Sequence, residues 1–363
     1  MGKYKRSFIE LYKFFLLNSK VDNSLQNELF NSIDTETAFN KVKSRIKQRE
    51  SDIKTRKISW AISVCAAAAV VIAFVFLKLP ENQYKQVVSI NYQTKLNNAS
   101  VYIILSEGTC IEIPDNETVI IDNQYFSGTS INGTLYCSNN AFAEDNRFNI
   151  NTIITPIGKN YRIILEDGSL ICMNAATTLS FPTLFNLRER EVYLQGEAFF
   201  DINNTGDYPF VVKTDNLNVK VMGTLFNVRA YEDEAYAFAT LIKGAVQVNN
   251  NKSDNYTNLR PSEQYSLNLS TMKQEIAEVD TNIVTAWMND MFVFKNEKLG
   301  TVMSDLRKWY VFNYEFEDKM ASEVRISGNI KRDKKLDEVF DMISELNKVQ
   351  INKNNGTFYI MKK

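Results

Sequence analysis

The longest unbroken apolar run, Ile58 to Leu77, holds 20 residues without a charge. As an α-helix it would be about 30 Å long, the thickness of a bilayer's hydrocarbon core. Arg56 and Lys57 precede it, Lys78 and Pro80 follow it, and Trp60 sits near one edge, where aromatic rings favour the headgroup zone. A buried core helix seldom stays uncharged for so long. A cleaved leader needs a short basic lead, and here 57 residues precede the run. The pattern predicts one transmembrane helix over residues 58–77.

The hydrophobic period differs on the two sides of this helix. Before it, Phe8, Ile9, Leu11, Tyr12, Phe15 and Leu16 share a helical stripe, which Leu25, Leu29 and Phe30 continue behind Asp22-Asn23-Ser24. Phe39, Val42 and Ile46 follow at spacings of three and four, so residues 1–57 read as a short all-α segment. After it, from Val87 to about Leu269, short apolar runs alternate with Gly, Asn and Asp clusters, the pattern of an all-β domain over residues 78–280. Ile103-Ile104-Leu105-Ser106-Glu107-Gly108-Thr109 recurs as Ile163-Ile164-Leu165-Glu166-Asp167-Gly168-Ser169, each copy a strand, a tight turn at glycine and a strand. Further strands are predicted at 191–194, 198–202, 210–213, 219–221, 225–231, 237–242 and 245–249. So many consecutive strands fit a sandwich or a solenoid-like stack.

Residues 281–290, with Trp287, read as a linker. Beyond them the period mixes. Phe292 to Phe294 is a strand, and Leu299, Val302, Met303, Leu306 and Tyr310 form a helical face. Strands over 311–316 and 324–327 follow, then a helix lined by Leu336, Val339, Phe340, Ile343 and Leu346, then strands at 349–351 and 358–361. Residues 291–363 are thus a small α+β domain of order β-α-β-β-α-β with an extra strand.

Charge gives the chain a direction. Residues 1–57 carry a net +6 and residues 58–363 a net −7. Eight cations crowd Lys41 to Lys57, whereas only Lys78 and Lys85 fall in the 17 residues after Leu77. Cations stay on the cytoplasmic side, so the N-terminus is expected inside and residues 78–363 outside the cytoplasm. There Cys110 and Cys137 could oxidise to a disulfide, while Cys172 reads as a small core residue. The inner segment has two readings: a basic tail that fixes topology, or a helical clamp for a cytoplasmic protein.

Composition narrows the chemistry. The chain of 363 residues contains no histidine, which removes Ser-His-Asp and Cys-His nucleophile pairs and His-ligated zinc, iron or haem. Its four cysteines form no CxxC, and its net charge of −1 argues against a nucleic-acid binder. No metal or cofactor is expected. Glu197 with Asp201, or Glu189 with Glu191, would suit a tethered carboxylate hydrolase, yet solvated strand faces carry such pairs routinely. Asp167-Gly168 could belong to a cation loop, but a hairpin turn accounts for it. Leu306, Trp309 and Tyr310 would suit an interface, although their helical spacing is that of a core.

Residues of the β-segment resemble a known family. Thr155-Pro156-Ile157-Gly158, Asp167-Gly168-Ser169, Asn174-Ala175, Leu179-Ser180-Phe181-Pro182, Arg190-Glu191-Val192, Gly196-Glu197-Ala198-Phe199-Phe200, Pro209-Phe210-Val211-Val212, Gly223-Thr224-Leu225-Phe226-Asn227-Val228 and Gly244 are similar to the FecR family of single-pass inner-membrane anti-sigma factors. Residues 291–363 resemble the small C-terminal domain that follows FecR, itself similar to the signalling domain of secretins and TonB-dependent receptors. The resemblance implies that residues 1–57 hold an extracytoplasmic-function sigma factor. It implies that the outer domains meet the signalling domain of a TonB-dependent outer-membrane receptor of iron or polysaccharide uptake. It also implies a candidate self-cleavage site at Gly223-Thr224, where the Thr224 hydroxyl would attack the preceding carbonyl and water would hydrolyse the ester. A glycine turn entering a strand is the plainer reading of that pair. The alternative to a regulator is a membrane-anchored periplasmic binding or scaffolding protein whose inner segment is only an anchor.

Overall fold

The structure, a computed structural model, describes residues 100–363 apart from 125, 139–148, 186–187, 207 and 347–348. The predicted helices of 1–57 and the membrane span 58–77 lie outside the described residues. Among the described residues no helix is long and apolar enough to cross a membrane.

Period-two alternation builds two facing sheets, and the chain shuttles between them. β1 (Val101–Ile104) and β2 (Cys110–Ile113) lie in the first sheet; β3 (Val119–Asp122), β4 (Ser127–Ile131) and β5 (Thr134–Ser138) lie in the second. β6 (Ile150–Thr155) returns to the first, β7 (Tyr161–Ile164) and β8 (Leu170–Met173) to the second, and β9 (Thr177–Pro182) to the first. β10 (Arg190–Asp201) belongs to both. Then β11 (Phe210–Lys213) and β12 (Leu217–Val221) join the first sheet, and β13 (Leu225–Ala230) and β14 (Tyr236–Lys243) the second. β15 (Val246–Asn250) and β16 (Thr257–Leu259) complete the first; β17 (Glu263–Asn268) and β18 (Gln274–Glu278) complete the second. The result is a two-sheet sandwich wound in the alternating manner of a solenoid. One core fills it, with Ile153 and Leu179 from the first sheet meeting Ile163 and Ile171 from the second. β6 and β9 are buried on both faces, and their polar members satisfy one another, as in the 2.8 Å bond between Thr152 Oγ1 and Ser180 Oγ.

β10 corrects the expected strand breaks. The runs 191–194 and 198–202 are one strand of 12 residues, bent at Gly196. Its first half pairs with β9 and its second half with β13. Gly196 has φ +117°, and a Cβ there would lie 2.5 Å from Thr177 Oγ1, so the crossing requires glycine. The repeated turns at Gly108 and Gly168 adopt the positive φ expected of them. The two copies fall in opposite sheets, as the β1–β2 and β7–β8 hairpins. No disulfide joins Cys110 to Cys137. Cys172 is buried in β8.

Residues 281–290 form α1 (Thr281–Val284), capped by the Asp280 side chain, and a 3-10 turn (Ala286–Asn289). Trp287 packs with Cys172 and Phe199 on the outer face of the second sheet.

The C-terminal domain runs β19 (Met291–Lys298), α2 (Leu299–Arg307), β20 (Asn313–Phe316), α3 (Lys319–Ser322), β21 (Arg325–Lys331), α4 (Leu336–Leu346), β22 (Val349–Asn354) and β23 (Thr357–Lys362). β19 pairs with β21, and β20, β23 and β22 form a separate three-stranded sheet. The unanticipated α3 is a single turn capped by Asp318. Val302, Leu306, Val339 and Ile360 share a core with Phe312, Phe340 and Phe358, whose ring centroids lie 4.5–6.0 Å apart.

Candidate functional site

The residues singled out for chemistry fall in different surroundings. Gly223 packs under Asn204, where a Cβ would come within 2.5 Å of Asn204 Cβ. Thr224 is buried, exchanges backbone hydrogen bonds with Ile202 at 3.1 and 3.2 Å, and donates its hydroxyl to Ala245 O at 2.9 Å. In this conformation the pair ties the start of β13 to the residue before β15. Asp167 accepts from Arg190 at 2.6 Å and from the Ser169 N–H at 2.9 Å. Arg190, buried between the sheet ends, also donates to the carbonyls of Asn203, Tyr208 and Met222. Glu191 pairs with Lys213 at 2.6 Å, and burial raises its carboxyl above the ordinary range despite that partner. Asp201 is exposed at the end of β10, whereas Glu197 is buried at 4% exposure.

Glu197 is the centre of the site. It sits one residue past the bend of β10, and both its oxygens are engaged. Oε2 accepts from Asn174 Nδ2 at 2.8 Å, and Oε1 accepts from Asn227 Nδ2 at 2.9 Å. Arg229, on β13, lies 3.6 Å from Oε2 and grips Glu234 with two bonds of 2.6 and 2.8 Å.

From this arc the polar contacts cross to the C-terminal domain. Arg229 also bonds Asp305 of α2. Lys308, just past α2, bonds Asp233 and lies 4.3 Å over the Tyr231 ring. Arg332 donates to Asn174 Oδ1 at 2.9 Å, its guanidinium held between the rings of Phe292 and Trp309 at 4.7 and 4.5 Å. The Gly158 N–H donates to Lys308 O at 3.1 Å. Leu306 is core. Trp309 donates its indole N–H to Arg332 O, and Tyr310 its hydroxyl to Lys334 O, both within their own domain.

The two guanidinium groups differ in their company. Burial alone would lower Arg229, but Asp305, Glu234 and Glu197 outweigh it and hold the group well above its ordinary value. Arg332 is pulled below its ordinary value by burial, against the more distant Glu197. Among the described residues it touches amide oxygens and rings instead of a carboxylate.

A cavity of about 890 Å³ opens beside this seam, lined by Glu197, Arg229, Phe238, Trp287, Phe294 and Thr301 among others. Asn227 Oδ1, Trp287 Nε1 and Arg332 Nε are buried there without a partner among the described residues. The same residues group no three acidic or cysteine side chains fit to hold a metal ion. Sequence reasoning named Glu197 and Trp309, and the motif residues Asn174, Arg190 and Asn227, but not Arg229, Asp305, Lys308 or Arg332. The one local signal was Glu197 itself, a carboxylate inside an apolar strand.

Comparisons with known proteins bear on both sides of the seam. The model described as FecR protein matches residues 151–247, and that described as FecR, C-terminal matches residues 291–360. Asn174, Glu197, Arg229 and Glu234 fall in the first span, and Asp305, Lys308 and Arg332 in the second. Two crystal structures of a candidate anti-sigma factor from Parabacteroides distasonis, at 1.65 and 2.50 Å resolution, are similar to this chain at 27% identity and a TM-score of 0.54. The matches cover 58% and 59% of this chain and 99% of that one. No curated protein matches the chain.

Proposed function

We propose that this chain, whose two described domains match the FecR and FecR C-terminal models, is a single-pass inner-membrane anti-sigma factor. Residues 1–57 hold an extracytoplasmic-function sigma factor in the cytoplasm, and residues 58–77 cross the membrane. Residues 78–363 lie in the periplasm and receive a signal from the signalling domain of a TonB-dependent outer-membrane receptor of iron or polysaccharide uptake. Release of the sigma factor then directs transcription. The observation that carries this reading is the pairing of FecR and FecR C-terminal domains in one chain, joined by the 27% identity to a candidate anti-sigma factor covered over 99% of its length. The basic flank before Ile58 supports the sidedness.

The relay requires no chemistry from this chain, and Gly223-Thr224 serves packing. The Thr224 hydroxyl bond to Ala245 O favours that role. Tags at both ends test it: full-length protein is expected on an immunoblot, with Thr224→Ala behaving identically. A fragment lost in Thr224→Ala would restore self-cleavage.

One observation favours a second reading, a membrane-anchored periplasmic binding or scaffolding protein: the cavity with three unpartnered buried polar atoms. Purification of the tagged full-length chain from its own cells separates the two. A co-purifying sigma factor, lost on deletion of residues 1–57, is the expected result. Recovery of periplasmic partners alone would favour the second reading.

A further inference from the structure

The two described domains each close an apolar core without the other. The main β-core uses residues between Val101 and Leu267, and the C-terminal core uses residues between Phe292 and Ile360. The third apolar cluster seats Trp287 against Cys172 and Phe199, so the connecting segment belongs with the β-domain. Among the described residues, no apolar cluster spans both domains. The contacts that cross between them include Arg229 to Asp305, Lys308 to Asp233, to Glu234 and over the Tyr231 ring, Arg332 to Asn174 and Asn160, and the Gly158 N–H to Lys308 O. These contacts converge next to the bend of β10, the strand shared by both sheets.

We propose that this polar seam is a releasable latch: the C-terminal domain is docked in the resting chain and swings away about Asp290 and Met291, Trp287 staying seated, when a partner domain captures the face carrying Asp305, Lys308 and Arg332. This rests on the regulatory reading, in which that partner is the receptor's signalling domain. Separating an apolar interface would leave a patch that aggregates. Separating this one returns paired charges to water, where the recovered hydration offsets much of the lost Coulomb energy. The docked and open states therefore lie close in free energy, and a partner that binds only the freed face shifts the population toward opening. The docked face is hidden from such a partner, so capture and docking compete. Because the docking contacts rest on Asn174, Glu197 and Arg229, opening is felt where the two sheets share a strand.

Hydrogen exchange of the full-length chain in detergent, read by mass spectrometry, tests the latch. The Asp305→Ala/Lys308→Ala double variant removes the two charges from the C-terminal side. Exchange is expected to rise at least tenfold in peptides containing Gly158 and Arg332, and to stay unchanged in peptides of the two cores around Ile163 and Val302. Asp233→Ala, made from the other side of the seam, is expected to move the same peptides in the same direction. Unchanged exchange at Gly158 and Arg332 in both variants would overturn the proposal, as would a parallel rise in the core peptides, which would mean unfolding instead of detachment. In cells, the double variant is expected to raise reporter transcription in the absence of inducer by at least tenfold. If the seam opens by exchange but output stays under normal control, the latch is not the switch. If no sigma factor associates with the chain at all, the regulatory reading fails while the exchange result still reports on the seam.

Discussion

The β-domain and the C-terminal domain bury polar groups for different reasons. The β-domain encloses Asn151, Thr152, Thr155, Thr177, Ser180, Glu197 and Asn227, and it does so through strands that are covered on both faces. These groups are buried by folding, and their partners are largely neighbouring strands. In the C-terminal domain the buried polar residues among those described are Lys308 and Arg332, and both face the β-domain. Their burial comes from docking. The β-domain is thus a finished body that offers a polar face. The C-terminal domain is a finished apolar core whose charges lose water only while the two are together. Such a contact can be undone without unfolding either side.

Core deletions test that division most strongly. Phe200 is fully buried and stacked on Phe226 at 4.9 Å, and Phe340 meets Phe358 at 4.5 Å. Phe200→Ala and Phe340→Ala should each cost about 3–5 kcal/mol, each in its own domain. Denaturant unfolding followed by fluorescence in variants that keep only Trp287 or only Trp309 reads the two domains separately. A midpoint shift in both probes for both variants would merge the domains into one cooperative unit.

Gly196→Ala should cost nearly as much, about 3 kcal/mol, because the added methyl meets Thr177 at a backbone with φ +117°. The loss should appear in the β-domain transition. A variant as stable as the parent would mean that β10 crosses between sheets without needing glycine.

Arg229→Met should have a smaller effect, about 2–3 kcal/mol. It leaves Asp305 and Glu197 without this cation and Glu234 with only Lys308 at 3.9 Å, but about 21% of the Arg229 side chain reaches solvent, which softens the penalty. Because Asp305 belongs to the other domain, the variant should also accelerate exchange at Arg332. Loss confined to the β-domain would show that the seam does not depend on Arg229.

The weakest effect appears only in alkali. Tyr161 is buried, its hydroxyl 2.7 Å from Ser130 Oγ, and burial pushes its pKa from 10.0 to about 12. The folded chain therefore binds more protons than the unfolded chain between those values. The stabilisation from Tyr161 is fully present below pH 10 and is lost as pH rises through about 12. Thermal melts of the parent and Tyr161→Phe should show the parent losing stability relative to the variant above pH 10. A constant difference would contradict the assignment.

The parts of this molecule legible in its sequence are those set by local pattern. Leu299, Val302, Met303 and Leu306 announce α2 by their spacing and are all buried. Gly108 and Gly168 mark turns because a positive φ leaves a one-residue signature. β10 was harder, since a glycine within a strand reads as a break when its job is to carry one strand between two sheets. Sheet membership was also hidden, because both sheets use the same alternation. The seam left still less trace. Arg229 and Asp305 are 76 residues apart, and Asn174 and Arg332 are 158 apart, so each looks like an ordinary polar residue until the chain folds. The resemblance to FecR pointed to Asn174, Glu197 and Asn227 as motif residues, yet their shared role in docking emerges only from their geometry.

Transcription in vitro tests the regulatory role most directly. The sigma factor recovered with the full-length chain is combined with RNA polymerase and a template carrying its promoter, then titrated with the chain in lipid nanodiscs. Silencing near one chain per sigma factor, with no silencing by a chain lacking residues 1–57, is the predicted result. Undiminished transcription at a large excess of the full-length chain would contradict it.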